Sequence, residues 1–294
     1  MTGRIVVGID GSEQSRYALE WAVARARLGG EELELLHAYS FTPPIDFFGY
    51  HGAAAGQQVA WFMEFSEEVL SAAQQRVREL APELTCTTTS KLGHPAVMLA
   101  EASAAADVVV VGRRGLGGAA SVLMGSVSNR LPVESKGPVV VVGDDEPPTG
   151  GPIVVGVDDS PFGTNALRYA LAEAAVRKTR VRAVAAYDLT DQAIQGDPEL
   201  VARARADVEA DAEGTITRAL GELHGMGAAS VGVDRVAVEG RAADAILAHA
   251  DDAQLVVVGT HGKGLVRRAL LGSVSRQVLN DADRPVAIVD LPDS

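Results

Sequence analysis

The chain has 294 residues, of which 47% are hydrophobic and 22% are charged, and its formal net charge at pH 7 is −13. This composition excludes a disordered chain, and no apolar run approaches the roughly 20 residues that a membrane span requires. The acidic charge argues against binding to nucleic acid, and the single cysteine, Cys86, excludes an intramolecular disulfide and fits the reducing cytoplasm.

Five short segments in the first half of the chain are predicted to be strands. They are residues 5–9, 33–37, 85–89, 108–111 and 139–142. The strands read as continuous apolar runs and not as an apolar–polar alternation, which is typical of strands buried on both faces of a parallel sheet.

Longer segments with apolar residues at helical spacing separate these strands, for example residues 12–28 and 64–80. Ser12 and, in the second half, Ser160 are predicted as helix N-caps because each follows closely on a strand. Residues 41–62 are rich in Gly, Ala, Pro and aromatics, and they have no good counterpart in the second half. Two interpretations stay open for them: a mobile loop or lid after the second strand, or a packing segment at a domain interface.

The second half of the chain repeats the first at an offset of 147 or 148 residues. Ile5-Val-Val-Gly-Ile-Asp10 returns 148 residues later as Ile153-Val-Val-Gly-Val-Asp158, and Gly125-Ser-Val-Ser returns 147 residues later at Gly272. This period is far longer than the roughly 20–50 residues of a solenoid, so it indicates a duplicated domain. The alternation of strands and helices predicts an α/β fold, with two tandem doubly wound, Rossmann-like domains that each hold a five-stranded parallel sheet flanked by helices.

The two halves are joined by a short acidic stretch that is rich in Gly and Pro, residues 143–152. Such a composition between two apolar strands predicts a linker. We place the first domain at residues 1–146, the linker at 147–152 and the second domain at 153–294.

Three features follow the predicted strands in both halves, at the edge of the sheet where doubly wound folds bind ligands. An aspartate ends the first strand, a Gly-x-x-Gly follows the fourth, and a Gly-Ser comes after a nine-residue spacer at a predicted helix start. Glycines allow close approach of the backbone, helix amides bind phosphate, and a carboxylate binds a ribose hydroxyl or Mg²⁺. Each feature alone also fits a plain helix cap or an ordinary loop, whereas the full pattern, present twice, is far more specific.

The pattern resembles the universal stress protein family, in its ATP-binding branch. The resemblance rests on Gly112-Arg-Arg-Gly115 followed by Gly125-Ser-Val-Ser, on Gly259-Thr-His-Gly262 followed by Gly272-Ser-Val-Ser, and on the two Val-Gly-x-Asp openings. It covers essentially the whole chain as two consecutive domains, and residues 41–62 fit it least.

The resemblance implies one ATP site per domain, for ATP alone or with Mg²⁺. The strand-one aspartates would contact ribose or metal, the backbone at the end of the second strand would contact adenine, and the Gly-Ser-Val-Ser turns would hold phosphates. The candidate binding residues are Gly8, Asp10, Ala38, Gly112, Arg114, Gly115, Gly125, Ser126, Val127 and Ser128 in the first half, and Gly156, Asp158, Ala186, Gly259, His261, Gly262, Gly272, Ser273, Val274 and Ser275 in the second. The side chains of Arg114 and His261 either hold phosphate oxygens or are ordinary loop groups.

The sequence therefore favours a nucleotide-dependent regulator, without a catalytic residue or a metal site of its own, and the resemblance implies a role in the stress response. By resemblance, the last strands of the two halves would pair domain to domain. An exposed aliphatic strand edge invites further pairing, so we also expect the whole chain to form a homodimer. Two alternatives stay open: a slow ATPase or adenylyl-transferring enzyme on the same fold, and an interaction module with vestigial sites. No P-loop motif, nucleophile elbow or metal-ligand spacing of histidines is present.

Overall fold

The computed structural model describes residues 3–40, 52–116, 124–189, 198–223, 231–262 and 270–291. The chain divides into two compact units, Met1–Glu146 and Pro147–Ser294. Among the described residues, no helix combines the length and the apolar character that a membrane span needs.

The first unit is a parallel sheet with intervening helices. Its sheet has the strand order β3-β2-β1-β4-β5, and all four neighbouring pairs are parallel. In chain order the elements are β1 (Arg4–Gly8), α1 (Glu13–Gly29), β2 (Glu32–Tyr39), α2 (Gly52–Leu80), β3 (Cys86–Leu92), α3 (Pro95–Ser103), β4 (Val108–Gly112), α4 (Ser126–Glu134) and β5 (Val139–Val142).

The second unit repeats this arrangement, with the strand order β10-β9-β6-β7-β8 and parallel pairing throughout. Its elements are β6 (Ile153–Gly156), α5 (Pro161–Arg177), β7 (Val181–Tyr187), α6 (Pro198–Glu222), β8 (Val233–Glu239), α7 (Ala242–Ala248), β9 (Leu255–Gly259), α8 (Ser273–Asp281) and β10 (Val286–Val289). The predicted fold, two doubly wound domains with five parallel strands each, is confirmed.

The middle strands of each sheet form the core. The valines of β4 and the aliphatic residues of β1 and β9 are almost completely buried, since helices cover both faces of a parallel sheet. The outer strands β3 and β8 differ, because their residues are half-buried or exposed. The expectation of burial on both faces therefore holds for the middle strands and is wrong for these outer ones.

Both predicted N-caps are confirmed. The hydroxyl of Ser12 accepts a hydrogen bond from the backbone N of Ser15 at 3.1 Å, and that of Ser160 accepts one from Gly163 N at 3.1 Å. Each cap satisfies one of the amide groups that the first turn of a helix leaves without a partner. Helices α1 and α5 thus begin three residues after Asp10 and Asp158, which follow β1 and β6.

The prediction of a loop over residues 41–62 is wrong for residues 52–62, because α2 already begins at Gly52. The segment 52–60 contains four alanines and two glutamines, which favour a helix more strongly than its two glycines oppose one. Residues 41–51 lie outside the part of the chain that the structure describes.

Both tryptophans of the chain lie in the first unit. Trp21 on α1 is buried, with 2% of its surface exposed, whereas Trp61 on α2 is 57% exposed. The ring of Trp61 stacks on Phe65, with 5.6 Å between the ring centroids. The two indoles therefore lie in very different environments of the same unit.

Candidate functional site

In the first unit, a cavity of about 380 Å³ opens at the carboxyl ends of β1, β2 and β4. The strand order reverses between β1 and β4. The loops after these two strands run in opposite directions, and the crevice between the loops is where doubly wound folds bind ligands. All ten residues predicted for this half line the cavity, namely Gly8, Asp10, Ala38, Gly112, Arg114, Gly115, Gly125, Ser126, Val127 and Ser128.

The second unit has a matching cavity of about 490 Å³ at the ends of β6, β7 and β9. All ten residues predicted for this half line it, namely Gly156, Asp158, Ala186, Gly259, His261, Gly262, Gly272, Ser273, Val274 and Ser275. In each unit the fold thus brings together residues that lie up to 120 positions apart in the sequence.

The strand-one aspartates are held in a fixed orientation by backbone and hydroxyl donors. Asp10 Oδ1 accepts hydrogen bonds from Ser12 N at 2.9 Å and from Ser12 Oγ at 2.6 Å, while Oδ2 accepts one from Leu116 N at 3.1 Å. Asp158 Oδ1 accepts the same two bonds from Ser160, at 3.2 and 2.5 Å. A carboxylate has about four acceptor positions, so each aspartate keeps capacity for a ligand hydroxyl.

The N-termini of α4 and α8 face the cavities through residues Ser126–Ser128 and Ser273–Ser275. The N-cap positions are Gly125 and Gly272, and neither helix receives a side-chain cap. The first-turn amides therefore lack the capping oxygen that α1 and α5 obtain from serine. Such amides, together with the helix dipole, favour an anion at this position.

The two serines of each Gly-Ser-Val-Ser turn have different roles. Ser128 Oγ donates to Arg113 O at 2.6 Å, and Ser275 Oγ donates to Gly259 O at 2.6 Å, so these buried hydroxyls tie the helix start to the end of the preceding strand. The first serines, Ser126 and Ser273, are exposed at the helix start. They are the hydroxyls that stand available to a ligand.

The first glycine of each Gly-x-x-Gly is required by packing and not by a turn. Neither Gly112 nor Gly259 has a positive φ. A Cβ on Gly112 would lie 2.7 Å from the carbonyl carbon of Gln14 on α1, and one on Gly259 would lie 2.9 Å from Cβ of Phe162 on α5. These glycines let a helix pass close to the strand end, a role that the sequence pattern by itself does not reveal.

The second glycine of each pair makes room for the aspartate. A Cβ on Gly115 would lie 2.2 Å from Asp10 Oδ2, and one on Gly262 would lie 2.7 Å from Asp158 Oδ2. Any side chain here would push the carboxylate out of its position. The two glycines of each Gly-x-x-Gly thus serve the site by leaving room for neighbouring groups. The first accommodates a helix, and the second accommodates the aspartate carboxylate.

The two sites differ at the residue between these glycines. Arg114 forms a two-point ion pair with Asp144, with Nε–Oδ1 at 3.1 Å and Nη2–Oδ2 at 2.8 Å. At the matching position, His261 contacts the Thr260 hydroxyl through Nδ1 at 3.2 Å and lies against the Phe162 ring, and its Nε2 is buried without a hydrogen-bond partner among the described residues.

Aliphatic side chains complete each cavity, and sequence reasoning did not identify them. In the first unit they are Ile9, Leu36, Pro95 and Leu99, and in the second Val157, Val184, Ala242 and Ile246. These residues lie on or just after the first two strands of each unit, or on the helices α3 and α7. They form an apolar wall beside the polar strand ends.

Acid–base and metal chemistry has few candidates here. Among the described residues, no group of three or more His, Cys, Asp or Glu side chains is arranged to hold a metal ion. Burial and the nearby carboxylates of Glu209 and Glu239 raise the pKa of Tyr187, which follows Ala186 on β7. This phenol is therefore neutral at physiological pH and does not serve as a base.

Two successive doubly wound units, each with a cavity at the switch point of its sheet, define a tandem α/β protein of the Rossmann-like class. Residues 1–143 and 151–290 each match the family model of the Universal stress protein family, so the chain belongs to that family.

Relatives of the whole chain are tandem proteins of similar length. A universal stress protein of Mycolicibacterium smegmatis is 34% identical over 97% of this chain and 96% of its own length. Universal stress protein Rv1996 of Mycobacterium tuberculosis is 33% identical over 98% of this chain and 95% of its own length. A universal stress protein structure from Archaeoglobus fulgidus shares the fold, with a TM-score of 0.69, 22% identity and 98% coverage of both chains.

Proposed function

We propose that this protein binds one ATP molecule in each unit and acts as a nucleotide-dependent regulator of the stress response. The observation that carries the proposal is the convergence of two ten-residue sets, 147 or 148 positions apart, on two cavities at equivalent places. A pattern retained in both copies and assembled at the same sheet edge supports two sites of the same kind.

The cavities fit a nucleotide in size and in chemistry. Their volumes, about 380 and 490 Å³, lie in the range of roughly 300–1,000 Å³ that is usual for small-molecule sites. The apolar wall beside Ala38 and Ala186 suits an adenine ring, and the carboxylates of Asp10 and Asp158 suit ribose hydroxyls. The helix starts at Ser126 and Ser273 suit phosphates, with or without Mg²⁺.

Regulation is favoured over turnover because, among the described residues, a single aspartate lines each cavity as a possible base, with only the His261 imidazole beside it in the second. In the described part of the chain, Asp10 is the only carboxylate that lines the first cavity, and Asp158 the only one that lines the second. Both are already bonded to the serine two residues on. ATP binding would instead act by preferring one conformation and shifting its population. Single-turnover release of ADP tests the alternative of a slow ATPase, and sedimentation analysis tests the homodimer, which stays a prediction.

Blocking either cavity at its adenine end is expected to halve the number of ATP molecules bound. Ala38 and Ala186 are equivalent, half-buried residues at the ends of β2 and β7. Phenylalanine at either position fills the apolar part of that cavity and leaves the sheet core unchanged. Isothermal titration with Mg-ATP should give about two sites for the wild-type chain, about one for Ala38→Phe and one for Ala186→Phe, and none for the double variant.

The matched controls are Ala38→Ser and Ala186→Ser, which add a single atom and should retain two sites. Circular dichroism checks that every variant keeps its fold. If the wild-type chain, freed of carried-over nucleotide, binds no Mg-ATP at millimolar concentration, the proposal is wrong.

A further inference from the structure

The Arg114–Asp144 ion pair lies beside the expected phosphate position of the first site. Arg114 lines the cavity, and its Cα would be 3.4 Å from a Cβ on Gly125, the N-cap of α4. Asp144 follows β5 closely and still belongs to the first unit, which ends at Glu146, but it lies in the acidic stretch 143–152, here called the connecting segment. The guanidinium is therefore anchored at the site but paired with a carboxylate of the connecting segment.

The ion pair occupies the same N–H groups of the Arg114 guanidinium that a phosphate would bind. Two parallel N–H···O bonds join Arg114 to Asp144, and guanidinium recognises carboxylates and phosphates with this same fork geometry. Arg114 and Asp144 are 27% and 35% exposed, so solvent and a ligand both have access to the pair. While the pair is formed, the negative charge of Asp144 also offsets the charge that would attract a polyphosphate.

Among the described residues, the second unit has no ion pair at the equivalent positions. At an offset of 147 residues, His261 replaces Arg114 and Leu291 replaces Asp144. Leu291 carries no charge, and His261 contacts Thr260 and Phe162. The second site therefore lacks this ion pair and serves as a reference for the first.

We propose that Asp144 is an internal competitor for the phosphates of the nucleotide at the first site. This inference rests on the proposed function. Binding of a nucleotide phosphate transfers the guanidinium of Arg114 from the Asp144 carboxylate to the phosphate oxygens. The first site therefore binds phosphate-bearing nucleotides more weakly than it would without the Asp144 carboxylate. Its occupancy also releases the start of the connecting segment, residues 143–149.

The affinity of the first site is measured in the full chain with the second site blocked by Ala186→Phe. In this background, Asp144→Asn is expected to strengthen Mg-ATP binding about fivefold to tenfold, the usual worth of a partly exposed charge-assisted pair. Adenosine, which lacks phosphate, should bind equally to both proteins. When Arg114→Gln is also present, Asp144→Asn should change ATP affinity by less than about twofold, since no guanidinium remains to be released.

Two controls separate this effect from a general change in charge. Asp145→Asn removes the same charge from the exposed neighbouring residue, and it should leave ATP affinity within about twofold. In the Ala38→Phe background, where the second site alone binds, Asp144→Asn should have no effect. Hydrogen exchange of residues 143–149 should increase on ATP binding in the Ala186→Phe protein and stay unchanged in the Ala38→Phe protein.

The outcomes distinguish this inference from the proposed function. If neither single-site protein binds ATP, the proposed function itself fails. If the Ala186→Phe protein binds ATP but Asp144→Asn leaves its affinity unchanged, or if Asp145→Asn strengthens binding equally, Asp144 is not a competitor and the inference is overturned.

Discussion

Replacing Glu173 with alanine is expected to destabilise the second unit by about 3–5 kcal/mol, the usual cost of removing one partner of a buried ion pair. Glu173 Oε2 accepts a hydrogen bond from Arg177 Nε at 3.0 Å, and the two side chains are only 4% and 6% exposed. Arg177 also donates to the amide oxygen of Gln254 at 3.1 Å, so its guanidinium is held in this buried position when the Glu173 carboxylate is removed. In urea unfolding followed by circular dichroism, the part of the signal that the second unit contributes should be lost at a lower urea concentration than in the wild-type protein.

A matched exposed pair provides the control for this variant. Glu134 and Arg130 on α4 have the same four-residue spacing, but their side chains are 32% and 48% exposed. Glu134→Ala is expected to cost about 0.5 kcal/mol or less, since water solvates the remaining arginine. Equal losses of stability in the two variants would show that burial of the Glu173–Arg177 pair is not what sets its contribution.

Alanine at the first glycine of the first Gly-x-x-Gly is expected to lower mainly the stability, and alanine at the second mainly the affinity for the nucleotide. Gly112→Ala places a methyl group against the backbone of Gln14, so β4 and α1 must separate, with a cost of about 3 kcal/mol in unfolding free energy. Gly115→Ala instead meets the end of the Asp10 side chain, and the carboxylate must rotate out of its bonded orientation to make room. It should cost less than about 1 kcal/mol but lose the Asp10–Leu116 hydrogen bond.

The second variant should therefore lose affinity while it keeps its stability. In the Ala186→Phe background, Gly115→Ala is expected to weaken Mg-ATP binding by about tenfold, which corresponds to one lost charge-assisted hydrogen bond to ribose. Urea unfolding and isothermal titration on the same samples measure both quantities. Intact affinity in Gly115→Ala would argue against contact between Asp10 and the nucleotide.

The fold was largely predictable because it is duplicated and because its middle strands are buried on both faces. Runs such as Val108–Gly112 and Leu255–Gly259 have no other good interpretation in a chain with regular helical segments between them. The outer strands were harder to describe, since Cys86–Leu92 and Val233–Glu239 have neighbours on one side within their units and carry polar residues. The start of α2 at Gly52 was harder to predict, because the glycine and aromatic content of residues 41–62 favours a loop while the alanines of residues 53–55 favour a helix.

The positions of the candidate site were predictable, but several of their physical roles were not. A spacing pattern shows that Gly112 and Gly115 matter, yet only coordinates show that one accommodates a helix and the other a carboxylate. The buried hydroxyls of Ser128 and Ser275 and the Arg114–Asp144 pair depend in the same way on side-chain direction. Contacts between residues 15 to 30 positions apart leave no mark on local periodicity.

The placement of both tryptophans in the first unit gives the protein a built-in optical reporter for that unit alone. Selective excitation of indole follows Trp21 in the core and Trp61 at the surface, while the second unit is silent in this signal. Comparison of the emission spectrum with a signal from the whole backbone therefore separates the melting of the two units in one sample, without labels or truncation.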